Sequence, residues 1–270
     1  MCTEAAHCRL RPLPERNLTV NLTYNITTVL ANFDALDPVL LVSYGLTLAC
    51  FVVYYIAAIV KGFKDKHCGM PWQTNMWNMS NDFLFVFLGF PCWWTEGLET
   101  NHWFTHVIWV GMVAWFAAEL ICHWQAIRWD LGEIFPHAKK RSTAIACYVG
   151  AQVVFVACYY WIWSSIDDPL VQVMIGTTVI FCTLFVPQFL SVRNSTAGVS
   201  AAALWAVLIA QVAWWFFAIP AMDKAWGTVY TYFFGACGVA VGIASLYKYY
   251  QLRREGRESI ESGFHHEVLP

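Results

Sequence analysis

The chain has 270 residues, of which 59% are hydrophobic and only 13% charged, and its mean hydropathy is +0.49. A soluble domain carries about 25% charged residues, so this composition excludes a water-facing surface and predicts an all-α polytopic membrane protein. The net charge of −2, from 16 basic and 18 acidic residues, offers no footprint for nucleic acid.

Residues 1–38 form a more polar N-terminal tail. It carries three glycosylation sequons, at Asn17, Asn21 and Asn25, each followed two residues later by Thr. Seven apolar runs of spanning length follow, at 39–60, 72–93, 103–125, 143–164, 170–192, 199–220 and 228–250. A tail at 251–270 ends the chain. The expected fold is therefore a seven-transmembrane-helix bundle.

Basic residues collect in the odd loops: Lys61, Lys64 and Lys66, then Arg128, Lys139, Lys140 and Arg141, then Arg193. Arg253, Arg254 and Arg257 follow in the C-terminal tail, while the even loops are acidic or nearly neutral. This places the odd loops and C-terminus in the cytosol and the N-terminus in the lumen. The sequons agree, and point to an endoplasmic reticulum or other secretory-pathway membrane. Most of the ten cysteines, such as Cys122 and Cys182, fall inside apolar runs, where Cys acts as a small hydrophobe. No Cys/His spacing suggests a zinc site, and no cofactor is expected.

The second run is anomalous. Asn75, Asn78 and Asp82 recur at i, i+3, i+7 on one helical face. A carboxylate at mid-membrane costs about 2.5–3.5 kcal/mol on insertion scales, and such a group is by default a functional hypothesis. In the third run Trp115, Glu119 and His123 are spaced by four. The plainer reading of both sets is interhelical hydrogen bonding. The Asp167-Asp168-Pro169 loop reads as solvated.

The aromatic content is high, with 15 Trp, 19 Phe and 12 Tyr. An interfacial belt accounts for part of it, but not for Trp77, Trp115 or Trp214, which fall within the runs. Their faces would stabilise a cation, or else simply pack. A buried acid among π-faces suits protonation of an olefin or epoxide and shelter of the resulting carbocation. On this reading Asp82 and Glu119 are the catalytic pair, and Asn75, Asn78, Trp77, Trp115, His123 and Trp214 contact the substrate.

The run Asp65-Lys66-His67-Cys68-Gly69-Met70-Pro71, followed by Asn78 and Asn81-Asp82, resembles the fungal membrane-bound terpene cyclases of meroterpenoid and indole-diterpene biosynthesis. Those have a D-K-x-x-G-M-P turn, then an Asn and a Trp-Glu pair in the second span. Asp82 falls at the position of their acid, one methylene shorter, and Asn81 replaces the Trp. Trp115 to Glu119 is similar to their W-x-x-x-D. The loop from Arg193 to Ser200 is similar to their R-x-S-x-x-G-x-S.

The resemblance implies a metal-independent, acid-initiated cyclisation of a lipophilic prenylated small molecule that partitions into the bilayer, with membrane lipids as the other partner. It leaves the oligomeric state open. It departs at the last span, where the family has an aspartate and residues 228–247 have none. Glu119 is then the expected second acid, with Tyr230, Tyr232 and Cys237 as the nearest groups in that span. A rival resemblance is carried by Phe185-Val186-Pro187-Gln188, which is similar to the PQ-loop motif of seven-span small-solute transporters. No second copy of that motif is evident.

Overall fold

The computed structural model describes residues 25–89, 102–166, 168 and 170–258, and among these it is helical without strands. A short helix, α1 (Ile26–Asp34), comes first. Asn25 caps it, accepting from the Thr27 N–H at 2.9 Å. The part of the N-terminal segment after Asn25 is thus folded, with Val29, Leu30 and Phe33 buried against the bundle. Asn17 and Asn21 lie outside the described residues.

The long helix α2 (Pro38–Asp65) starts where sequence rules place it, with Pro38 in the first turn. The Asp37 carboxylate accepts from the N–H groups of Val39 and Leu40 at 2.8 and 3.0 Å, a cap worth about 0.5–2 kcal/mol. Next come α3 (Trp72–Leu84), which runs on as a π turn, and α4 (Trp103–Gln125), which continues through a second π turn to the short α5 (Leu131–Ile134). Then follow α6 (Arg141–Ser165), α7 (Gln172–Leu184), α8 (Val186–Arg193), α9 (Ala201–Ala213), α10 (Ile219–Met222) and α11 (Val229–Arg254). Pro187 stands in the first turn of α8, where its missing N–H explains the break after α7.

Six helical stretches among the described residues are long and apolar enough to cross a membrane. They are Pro38–Asp65, Trp103–Ile134, Arg141–Ser165, Gln172–Arg193, Ala201–Met222 and Val229–Arg254. Of the remaining expected run, at 72–93, residues 72–89 are described and form α3 and its π turn, whose polar side chains keep them out of that set. Its position explains the polarity. Every residue from Thr74 to Asp82 is buried, because α4, α6 and α7 enclose the helix. A helix that shows lipid so little of itself has no need of an apolar surface.

Part of its polar content is structural, as the plainer reading holds. The Thr74 hydroxyl donates to the Phe181 carbonyl at 2.7 Å, and Gln152 donates to the Ser80 hydroxyl at 3.0 Å. The Asp168 carboxylate, expected to be solvated, is buried instead. It caps α7 by accepting from Gln172 and Met174 N–H, both at 2.9 Å.

The two resembled loops, about 130 positions apart in sequence, form one ionic knot. Arg193 lies 2.8 Å from both Asp130 and Glu133, and its guanidinium rests 4.0 Å from the Phe189 ring centroid. Asp130 in turn holds His67 Nδ1 at 2.7 Å and accepts from the Cys68 N–H at 2.6 Å. The Gly198 N–H donates to Asp65 at 2.8 Å, and Lys61 pairs with the same carboxylate.

Two glycines are required by contact. A Cβ on Gly69 would sit 2.2 Å from the Ala58 carbonyl oxygen. Gly198 has φ +81°, and a Cβ there would meet the Cys68 carbonyl oxygen at 2.6 Å. Burial, with Asp130 adding to it, pushes the Cys68 thiol up to about 12, so it is no reactive thiolate. His67, Asp130 and Glu133 come within 4.8 Å of one another. The Arg193 guanidinium bonds to both carboxylates and stands where a metal cation would sit.

Candidate functional site

A cavity of about 300 Å³ lies between α2, α3, α4, α7 and the turn after α9. Tyr44, Phe51 and Tyr55 line it from α2; Asn78, Asn81 and Asp82 from α3. Met112 and Trp115 come from α4, Thr178 from α7, and Trp214 from the π turn after α9. Among the described residues no Lys, Arg or His lines it. Tyr44 to Tyr55 spans about 16 Å along α2, so the cavity is a slot running with the helices. Its polar groups gather at the Tyr55 end.

At that end Asp82 is almost wholly buried. One carboxyl oxygen accepts from the Asn81 amide at 2.7 Å, and the other has no partner besides the neighbouring Glu119 carboxyl. The Asn81 carbonyl oxygen accepts from the Tyr159 hydroxyl, which fixes the amide in its turn toward Asp82. Glu119 is buried behind this group. Its carboxyl bonds the Tyr55 hydroxyl at 2.5 Å and lies within hydrogen-bonding reach of Asp82. Asn78 donates to the Tyr55 hydroxyl and to Cys182 Sγ, both at 3.4 Å, and its carbonyl oxygen is left unpartnered.

Two carboxyl groups thus share a buried site that, among the described residues, no Lys, Arg or His side chain lines. Two like charges in such a place cannot both persist. The pair is suited to holding a proton and presenting it to whatever occupies the slot.

Of the residues singled out from sequence, Asp82, Asn78, Trp115 and Trp214 meet at the cavity. Glu119 touches Asp82 but stands behind the wall rather than in it, because Tyr55 and Asp82 lie between. Asn75 and His123 lie one turn further along, beside Tyr148, and do not line the slot. His123 Nδ1 is 2.8 Å from the Tyr148 hydroxyl. Trp77 faces the other way. It stacks on Phe181 at 4.2 Å and donates to Thr177 at 3.0 Å, which is packing.

The last helix contributes nothing to the lining. Tyr230 and Cys237 are exposed, Tyr232 is 39% exposed, and Trp214 and Trp215 intervene. Sequence reasoning missed Tyr55, Tyr159 and Phe51. Only their helical register with Asp82 and Glu119 across three helices could have found them, and that needs the fold.

Comparison with protein-family models, curated proteins and solved structures finds no match.

Proposed function

We propose that this protein is a membrane-embedded terpene cyclase, which protonates the prenyl or epoxyprenyl chain of a lipophilic precursor and closes it into rings. The observation that carries the reading is Asp82. It is a buried carboxyl in the wall of an aromatic slot, held by the Asn81 amide and backed by a second carboxyl. Asp82 gives its proton to the terminal alkene carbon or epoxide oxygen. Internal double bonds attack the cationic carbon in turn, and loss of a proton from the last cation forms a new alkene. That proton returns to the carboxyl pair, so the product is an isomer of the substrate and no co-reactant is consumed.

Phe51 and Trp115, with ring centroids 5.7 Å apart, and Tyr44 and Trp214, 5.5 Å apart, put π-faces along the path of the migrating charge. Each such face is worth up to about 2 kcal/mol when desolvated. Asn81, which replaces the Trp of the resembled family, supplies the amide that orients the shorter acid. Glu119 acts through Asp82 and Tyr55, as the second holder of the proton.

This reading includes a seventh span, Trp72–Gly89. At about 27 Å it approaches the roughly 30 Å hydrocarbon thickness, and its burial supports membrane placement despite its polarity. We propose a lumenal N-terminus, a cytosolic C-terminus and a secretory-pathway membrane, on the basic residues of the odd loops and the sequons. The test is direct. Membranes carrying the protein are given prenylated and epoxyprenylated phenols without metal or nucleotide, and products of unchanged mass and altered retention are sought. If the chain is a transporter, the same membranes leave every precursor unchanged but move a polar solute into sealed vesicles, dependent on Pro187.

A further inference from the structure

We infer that the cavity takes its ligand sideways from the bilayer, through a gap between α2 and α4 at Gly111, and that the ligand is a lipid-like molecule inserted by an apolar chain, which the function proposed above makes an isoprenoid one. The access route rests on the membrane placement proposed above, but not on the chemistry at Asp82.

Both ends of the slot are shut. Toward α1, Phe33 stacks on Phe104 at 3.6 Å, Tyr44 lies 5.3 Å from Phe104, and Trp214 lies 5.5 Å from Tyr44. All four rings are buried. At the other end Tyr55, Glu119, Asn78 and Cys182 are hydrogen-bonded together, and Asn81 is tied to Tyr159.

The flank is different. Val52, Val107 and Val110 line the slot and are also 50%, 49% and 61% exposed on the outer surface. Ala114 likewise belongs to both surfaces. Where the same residues face the cavity and the outside, the wall is open, and the outside at this depth is hydrocarbon. Gly111 sits in that opening. A Cβ there would find only the Trp115 ring within 4 Å, at 3.8 Å, so the position has room to begin a larger side chain.

The ligand class follows from the lining. The mouth is Val, Gly and Ala, while Asp82 and the unpartnered Asn78 oxygen are at the closed end. At about 300 Å³ the slot is at the low end of ligand pockets, roughly 300–1,000 Å³. It therefore encloses a chain and leaves a bulky head group in the membrane. The chain end arrives first, opposite the acid.

The full chain in phosphatidylcholine nanodiscs is photolabelled with a diazirine-bearing isoprenoid alcohol, and the cross-linked peptides are mapped. Wild type should label on residues of α3 and α4 that line the slot, competed by the unmodified alcohol. Gly111→Trp should reduce this labelling by on the order of tenfold. Gly150→Trp, at another open glycine on the far helix α6, should not. If Gly111→Trp fails to fold, Ala114→Phe plugs the same gap from an exposed position. Undiminished slot labelling in a folded plugged variant overturns the route, as does a wild type labelled only on its outer surface. Gly111-dependent labelling without turnover in any variant would remove the chemistry and leave the route standing. Turnover that survives the plug would do the reverse.

Discussion

Replacing Arg193 with Gln tests whether the knot between the two resembled loops holds that end of the bundle. The guanidinium is buried and lies 2.8 Å from each of Asp130 and Glu133. The variant leaves a buried Asp130 carboxylate with only His67 and the Cys68 N–H as partners, together with a half-released Glu133. Removing one partner of a buried pair costs about 3–5 kcal/mol. For a domain of this size each kcal/mol moves the midpoint by about 2–4 °C, so the loss should be about 6–20 °C. The measurement is thermal unfolding of the full chain in detergent, followed by helical circular dichroism. Adding Asp130→Asn removes the stranded charge and should recover part of the loss, with a coupling of about 0.5–3 kcal/mol. Asp130 is about 16 Å along the helix from Glu119, so the folded fraction should keep its turnover. A midpoint lowered by less than about 2 °C, or a double variant no better than the sum of the singles, would refute the knot.

Other expectations concern the site and the topology. Tyr55→Phe removes the donor to Glu119 and should lower turnover by on the order of tenfold, with little change in substrate affinity; equal loss in a variant distant from the carboxyls would argue against it. Glu119→Gln should fall between the Asp82→Glu and Asp82→Asn variants, since it keeps the hydrogen bond to Tyr55 but cannot hold the proton; a silent Glu119→Gln removes it from the mechanism. A Cβ on Gly176 would press on Trp214 and Trp215 at 2.9 and 2.8 Å, so Gly176→Val should cost about 1–3 kcal/mol of stability and change the product ratio by shifting the cavity wall; an unchanged ratio would mean that Trp214 does not shape the product. Protein from a eukaryotic host should gain mobility on glycosidase treatment. No shift, with an N-terminal tag reachable from the cytosol, reverses the orientation.

The helical period made Asn78, Asp82 and Glu119 legible in the sequence, because polar residues inside apolar runs are few and their spacing is regular. The same signal misled at Asn75 and His123. They share faces with the acids, but lie a turn away from the slot, and one-dimensional spacing does not say how deep a cavity reaches. Tyr55 and Phe51 were hidden for the opposite reason. An aromatic in an apolar run looks like core, and only the approach of α4 turns the Tyr55 hydroxyl into a carboxyl partner. The knot was invisible as a unit, since Arg193, Asp130 and His67 come from three separate loops. The helix Trp72–Leu84 was found from sequence at its N-terminus, yet its composition falls short of a span, because burial on all sides relieves it of the need for an apolar face. Asp168 looked like solvated loop because nothing in its neighbours announces the helix N-terminus that it caps.

Asp82→Asn is the measurement that bears most directly on the proposed chemistry. The amide keeps the size of the side chain but has no proton to give. With protein level and midpoint matched to wild type, cyclisation of the accepted precursor should fall by about 10²–10⁴-fold, the usual worth of general acid catalysis. Asp82→Glu should retain part of the activity, with a displacement on the order of 1 Å costing up to about 10²-fold. A well-expressed Asp82→Asn protein that turns over at near the wild-type rate would contradict the assignment of Asp82 as the acid.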